Sequence, residues 1–205
     1  TVVDIGAHCG QFALVAHRMQ QGAEIHLFEP LPRPALRFLR VLGTGNGVTL
    51  HNVAISPESG IGVIHVSERD DSSSLLEITD RQTRAFPGTE EKGRAEVRKG
   101  PLNNFIAKDL IKPPALLKVD VQGYELQALQ GCESFLDAFD TAYVECSFVE
   151  LYRGQSLAGD VAEWLLQRGL HLVGMYNSVQ GVERDCIQAD VLFSRIARTK
   201  VWGVD

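Results

Sequence analysis

Val3-Asp4-Ile5-Gly6-Ala7-His8-Cys9-Gly10 is the stretch that decides the fold. The apolar run Thr1 to Ile5 reads as a strand that stops at Gly6. Gln11 to Gln20 follows with helical spacing, Phe12, Val15, Ala16 and Met19 sharing one side. Gly6 lets the chain turn sharply out of the strand, and Gly10 lets the helix begin close to a ligand. A side chain at either point would block that approach.

Outward from this turn, strands and helices alternate. Glu24 to Phe28 is a second strand, Pro32 opens a helix that Ala35 to Leu42 continues until Gly43, and Val48 to Val53 is a third strand. The middle is rich in turns at Gly60, Gly62, Asp70 to Ser74 and Pro87 to Gly93, with short strands at Val63 to Val66 and Ala95 to Arg98 forming a hairpin-like insertion. Pro101 to Leu110 is expected as a short helix. Ala115 to Val121 is a fourth strand, Tyr124 to Phe139 a helix with Leu126, Ala128 and Leu129 inward, and Thr141 to Cys146 a fifth strand. Leu157 to Arg168 is a helix ended by Gly169, and Leu170 to Tyr176 and Ala189 to Ile196 are the last strands. Successive βα units imply an α/β fold, a parallel sheet with helices on both faces. Ligands of such sheets bind beyond the carboxyl ends of the strands, where the strand order reverses.

Composition agrees with a globular protein. The 205 residues, 44% apolar and 22% charged, are expected to form a single domain, residues 1–205. No apolar run approaches the roughly 20 residues that span a bilayer, so no membrane partner is expected. A net charge of -6 argues against a nucleic-acid partner. Cys9, Cys132, Cys146 and Cys186 form no Cys-x-x-Cys pair and follow no zinc spacing, which reads as reduced, mostly buried thiols in a cytoplasmic protein. The chain opens at Thr1 directly on a strand, consistent with a further N-terminal segment ahead of it. No residue pattern specifies an oligomeric state.

The second strand ends in Leu27-Phe28-Glu29-Pro30. A carboxylate here, about 20 residues after the glycine turn, can accept two hydrogen bonds from the hydroxyls of a ribose. The turn itself departs from the dinucleotide pattern: its spacing is Gly-x-x-x-Gly and Asp4 precedes the first glycine. An acidic residue suits a ligand with a cationic end better than one with a diphosphate. S-adenosylmethionine carries a sulfonium and an ammonium and no phosphate.

Read as a whole, the sequence resembles the FkbM family of methyltransferases. The residues that carry the resemblance are VDIGAHCGQF (Val3 to Phe12), FEP (Phe28 to Pro30), NVAIS (Asn52 to Ser56), SSLL (Ser73 to Leu76), LKVDVQGYELQALQG (Leu117 to Gly131), VECSFVELYRGQ (Val144 to Gln155) and ADVLF (Ala189 to Phe193). They run in family order across nearly the whole chain. His8 stands where family members often carry Asn, and Gln122 where they often carry Glu. The resemblance implies a Rossmann-like three-layer methyltransferase fold, with a mostly parallel seven-stranded sheet, an antiparallel last strand and a small loop or hairpin insertion. It also implies transfer of a methyl group from S-adenosyl-L-methionine to a hydroxyl oxygen of a small molecule or glycan.

By position and resemblance, Asp4, Gly6 and Gly10 are expected at the methionine end of the cofactor, Glu29 at the ribose with Phe28 beside it, and Asn52 to Ala54 at the adenine. His8 is expected as a wall of the pocket rather than a base. Ser73 and Ser74 are candidate contacts or simply a serine-rich loop. An alcohol must lose a proton as it is methylated, so a nearby base helps. Asp120, at the end of the fourth strand, is the leading candidate, with Glu125 and Glu145 behind it. Two plainer roles stand beside these: Asp120 as a ligand of the Gly123 turn or of the cofactor's amino group, and Glu125 as a helix N-terminal carboxylate. Asp120, Glu125 and Glu145 together have the chemistry to hold a hard divalent cation, but nothing in their spacing demands one and no metal is assigned. Tyr152 and Arg153 follow the fifth strand, where either substrate contact or packing is expected.

Two other functions are open on the fold alone. A nucleotide-binding Rossmann oxidoreductase is opposed by the missing Gly-x-Gly-x-x-Gly turn and by the lack of a Tyr-x-x-x-Lys pair, since Tyr124 is followed by Ala128 and Tyr152 by Ser156. A non-catalytic nucleoside-binding module would be marked by loss of Asp120 or Glu29, and both are present.

Overall fold

A computed structural model describes residues 1–34, 36–37, 47–181 and 185–195 of the chain. Within these, seven strands form one sheet: β1 Val2–Ile5, β2 Ile25–Phe28, β3 Val48–His51, β7 Leu116–Val119, β8 Thr141–Ser147, β9 His171–Gln180 and β10 Cys186–Ser194. Their spatial order is β3-β2-β1-β7-β8-β10-β9. β3, β2, β1, β7 and β8 pair in parallel, and β10 runs antiparallel to both β8 and β9. The expected mostly parallel sheet with an antiparallel last strand is therefore present. From β1 the chain first builds toward β3 and then returns to lay β7 on the other side of β1, so the strand order reverses between β1 and β7. That is where the crevice of such a sheet opens.

Alternation along the strands separates two faces. Val3 and Ile5 of β1, Leu117 and Val119 of β7, and Val144 of β8 point into one core. There they meet α3 (Glu125–Gly131) and α4 (Ala158–Leu166) through Leu129, Val161 and Leu165. On the opposite face Ala13 of α1 (Gln11–Met19) packs on Ile25 and Leu27. Apolar burial on both faces is the main stabilising term for this three-layer arrangement. The intervening residues Asp4, Lys118, Tyr143, Glu145 and Asp190 share the α1 face by strand alternation.

The insertion is larger than a hairpin. β5 (Gly60–Ser67) and β6 (Glu91–Gly100) pair antiparallel, and β4 (Ala54–Ile55) adds to β6 in parallel. The short helix α2 (Asp80–Ala85) lies between them, capped by Thr79, whose hydroxyl accepts from the Gln82 N–H.

Three expectations are corrected. The third strand does not run to Val53: its ladder stops at His51, because Asn52 turns the chain by donating to the carbonyls of Glu29 and Pro30, and Ala54–Ile55 join the second sheet. Pro101 to Leu110 is two 3₁₀ turns, Leu102–Asn104 and Lys108–Leu110, not a helix. Leu102 and Ile106 are both buried, which mimics helical spacing, but the Asn104 side chain is spent on Ser59. The helix expected from Tyr124 to Phe139 is α only to Gly131 and then tightens to 3₁₀ over Glu133–Ala138. Gly131 lies against the Ser56 carbonyl, where a Cβ would come within 2.8 Å, so this turn is fitted to β4 rather than continued freely. Of the helix expected over Ala35 to Leu42, only residues 36 and 37 are described, both helical, and Ile196 at the end of the last strand lies outside the described residues.

Candidate active site

The two ends of the switch point touch. Asp120 N donates to the Ile5 carbonyl at 3.0 Å, and Gly6 (φ 77°) passes so close that a Cβ there would lie 1.7 Å from the Asp120 carbonyl oxygen. Four further residues of these turns, His8 (φ 47°), Gly10 (φ 75°), Gln122 (φ 56°) and Gly123 (φ 92°), hold left-handed backbone. Such conformations concentrate at binding sites because the surrounding packing must sustain them.

Over these turns opens a cavity of about 600 Å³, within the range of small-molecule sites. Gly6, His8, Phe28, Glu29, Ala54, Asp120 and Glu145 line it together. Asp4, Gly10, Asn52 and Glu125 do not. Ser73 and Ser74 also line it, but their hydroxyls accept from Ser67 N and Leu76 N within their own loop.

Glu29 is tied to the glycine turn. Its Oε2 accepts from His8 N at 2.9 Å and its Oε1 from Leu31 N at 2.7 Å. Burial raises its carboxyl above the usual carboxylate range, and these two N–H donors oppose that shift. Each oxygen keeps further lone pairs for donors in the cavity. The turn and the acid are thus one rigid unit. The near wall across the cavity mouth is His8, whose Nε2 lies 3.0 Å from Asp70 Oδ1, with Arg37 on the other Asp70 oxygen at 3.3 Å.

Behind the turn lies an ion pair that sequence reading missed. Asp4 is fully enclosed, and Lys118, its register partner on β7, sits 3.1 Å from it. Lys118 Nζ also donates to the Gly6 carbonyl at 3.1 Å and approaches Asp120 Oδ2 at 3.4 Å. Burial disfavours the ammonium, but Asp4, Asp120 and Glu145 outweigh it and keep Lys118 charged, well above its ordinary range. Asp4 therefore acts on the cavity through Lys118 and the Gly6 carbonyl, not by lining it. A charged residue alone in the apolar strand Leu116-Leu117-Lys118-Val119 was the available signal.

Gln122 joins the acids. Its Nε2 donates to Asp120 Oδ1 at 2.9 Å and to Glu145 Oε2 at 2.7 Å. Its Oε1, with the Ser72 carbonyl, receives the hydroxyl of Tyr152, at 2.9 and 3.0 Å. Tyr152 is buried behind the wall, and Arg153 is spent on an exposed pair with Glu77. Burial, then the charges of Asp120 and Glu125, push the Glu145 carboxyl well up.

Glu125 holds the turn after β7. Its Oε1 accepts from Val121 N at 3.2 Å and Gly123 N at 2.9 Å. Burial pushes its carboxyl up to about 7. Because its folded value lies above the unfolded 4.5, its contribution to stability is complete below pH 4.5 and is lost as pH rises through 7. Glu125→Gln keeps the accepting oxygen and removes the ionisation. Urea unfolding from pH 4 to 8 is expected to show the gap between parent and variant moving in the variant's favour as pH rises, by on the order of 3 kcal/mol. Parallel curves would mean that Glu125 ionises freely in the fold.

Comparison with known proteins gives the family. The Methyltransferase FkbM domain matches residues 4–172. The chain belongs to the FkbM methyltransferase family. It is 28% identical over 160 residues to the 2-O-methyltransferase NoeI of Sinorhizobium fredii, covering 75% of this chain and 66% of NoeI. It is 28% identical over 196 residues to the 31-O-demethyl-FK506 methyltransferase FkbM of Streptomyces tacrolimicus, covering 84% of this chain and 73% of that protein. The crystal structure of methyltransferase FkbM from Methylobacillus flagellatus KT superposes with a TM-score of 0.60 at 15% identity, covering 94% of this chain and 43% of the other. This FkbM domain thus spans about two thirds of NoeI and less than half of the crystallised relative. No helix among the described residues is long and apolar enough to cross a membrane.

Proposed function

We propose that residues 1–205 act as a single S-adenosyl-L-methionine-dependent O-methyltransferase domain whose acceptor is a hydroxyl of a small molecule or glycan. The observation that carries this reading is the joined unit of Gly6 and Glu29 at the switch point. Bare backbone on one side and a carboxylate on the other suit a nucleoside without phosphate, since a diphosphate would meet Glu29 and Asp120 as like charges. The two curated relatives are both named for oxygen methylation.

S-adenosylmethionine, when bound, supplies an electrophilic methyl carbon on a positively charged sulfur. Glu29 would hold the ribose hydroxyls, Val53 and Ala54 would flank the adenine, and Gly6 would leave room for the methionine end. Asp120 is the proton acceptor for the attacking hydroxyl: it lines the cavity, and Gln122 fixes its Oδ1. Glu145 sits beside it on the same Gln122 amide, its carboxyl pushed well up by burial and by the charge of Asp120. Phe12, Phe28 and Tyr143 supply apolar walls that keep water from the reacting atoms. All four cysteines are free thiols, which supports residence in the reducing cytoplasm.

Calorimetry with S-adenosylmethionine and with NAD tests the reading. The parent is expected to bind the former and not the latter, and Glu29→Ala to weaken binding by about tenfold or more, the loss of hydrogen bonds to a charged group. Equal affinity in Glu29→Ala, or preference for NAD, overturns it. Asp120→Asn is expected to keep cofactor affinity and to slow methyl transfer; lost affinity with normal turnover of the bound complex would make Asp120 a cofactor ligand instead.

A further inference from the structure

Tyr152 carries a buried hydroxyl that the proposed reaction leaves without a role. Its ring packs on Gly123 behind the cavity wall, where an added Cβ would come within 2.8 Å of the tyrosine Cβ and Cδ2. Its backbone is pinned as well. Tyr152 N donates to Gln155 Oε1 at 2.6 Å, and Ile78 bridges to it from the insertion. Leu76, Ile78 and Phe86 pack against the same apolar cluster. The fold therefore fixes where this hydroxyl stands, whatever bonds it makes.

That place matters because of Gln122, which lines the cavity. A primary amide has an oxygen end and a nitrogen end of nearly equal shape, so its partners decide which way it faces. Here Nε2 spends one proton on Asp120 Oδ1 and the other on Glu145 Oε2. Reversed, the amide would set its oxygen against two carboxylate oxygens, and both acids would lose their donor. The other end holds it. Oε1 accepts from the Tyr152 hydroxyl at 2.9 Å, and among the described residues no other group donates to it. The hydroxyl has a single proton, shared with the Ser72 carbonyl at 3.0 Å. Burial, then the charges of Glu145, Glu125, Asp120 and Asp71, raise this hydroxyl far above its ordinary range, so it stays protonated and remains a donor.

We propose that Tyr152 is a positioning residue for methyl transfer: by donating to Gln122 Oε1, it keeps the Gln122 amide turned so that one nitrogen serves both Asp120 and Glu145. The inference rests on the methyltransferase reading, in which Asp120 receives the proton of the attacking hydroxyl. Without the tyrosine proton, Oε1 is a buried acceptor with no donor, and nothing at that end opposes reversal of the amide. The effect is read at Glu145. Its carboxyl feels Asp120 from β7, Glu125 from the start of α3 and Asp190 from β10, with Lys118 3.4 Å from Asp120 Oδ2. Gln122 Nε2 is the donor to its Oε2. A donor favours the ionised form, so losing it moves the Glu145 titration further upward.

Tyr152→Phe keeps the ring and removes only the hydroxyl. Its effect is read by NMR on protein labelled in the side-chain amides of glutamine and asparagine and in the glutamate carboxyls. Hydrogen exchange of the Gln122 amide is expected to quicken about tenfold, the loss of one hydrogen bond. The Glu145 titration is expected to move up by about one pH unit. Asn52, whose side-chain amide is tied instead to the Glu29 and Pro30 carbonyls, is expected to exchange as in the parent. A second measurement needs no variant. As pH carries the parent through the Glu145 titration, the Gln122 amide and Tyr152 ring signals are expected to shift with the same midpoint. The role is overturned if Tyr152→Phe leaves both Gln122 exchange and the Glu145 titration unchanged, or if Asn52 quickens equally, which would mark general loosening. It is also overturned if the parent's Tyr152 and Glu145 signals move with different midpoints. Failure of the methyltransferase reading would show separately, as S-adenosylmethionine binding that is absent or indifferent to Glu29 while these signals stay intact.

Discussion

Gly6→Ala is expected to unfold the protein or to cost it more than about 4 kcal/mol in urea denaturation, far beyond an ordinary loop substitution. The added Cβ would lie 1.7 Å from the Asp120 carbonyl oxygen and 2.8 Å from its carbon. Neither atom is the end of a flexible side chain. Relief would require β1 and β7 to part at their carboxyl ends, breaking the Asp120 N to Ile5 O bond at the place where the sheet is joined. Left-handed backbone adds roughly 1 kcal/mol for any residue with a Cβ. Gly154→Ala isolates that smaller contribution: Gly154 has φ 72°, but nothing lies within 4 Å of its would-be Cβ. Gly154→Ala is therefore expected to lose only about 1 kcal/mol. Similar losses in the two variants would mean that the contact at Gly6 relaxes freely and that the switch point is not tightly closed.

Lys118→Met is expected to cost about 3–5 kcal/mol, the penalty for removing one partner of a buried pair. Methionine fills much of the same volume, so the loss is electrostatic rather than steric. Asp4, with no exposure to solvent, would be left without its nearest cation, and the Gly6 carbonyl would lose a donor. The reverse change gives a sharper measurement. Asp4→Asn combined with Lys118→Met removes both charges, and the double variant is expected to recover most of the loss, as buried pairs replaced together often do. A double variant as unstable as Lys118→Met alone would place the importance of Lys118 in its bonds to Gly6 and Asp120. Thermal unfolding monitored by circular dichroism reads all four proteins of the cycle.

Much of this architecture was legible because it is local. The glycine turn at Gly6, the acid at Glu29 and the alternation of strands with helices depend on short-range backbone and periodicity rules. Expectation failed where a distant segment overrode the local pattern. Asn52 ended a strand by reaching back to Glu29 and Pro30, and Ser56 met Gly131 at the end of an α-helix. Leu102 and Ile106 imitated a helix because both are buried, although by a chain that turns in 3₁₀ steps.

By itself, then, the sequence determined the class of fold, the position of the crevice, and the two chemical features at its floor, since each is encoded within a few residues of the other parts it needs. Only the tertiary structure decided which polar residues meet there. Asp4 and Lys118 lie 114 positions apart, Gln122 reaches Glu145 across two strands, and Asn177 reaches Asp190 through a bulge. Burial of apolar residues on the opposite face sets the register that brings these side chains together, and register is a property of paired strands that no single strand carries.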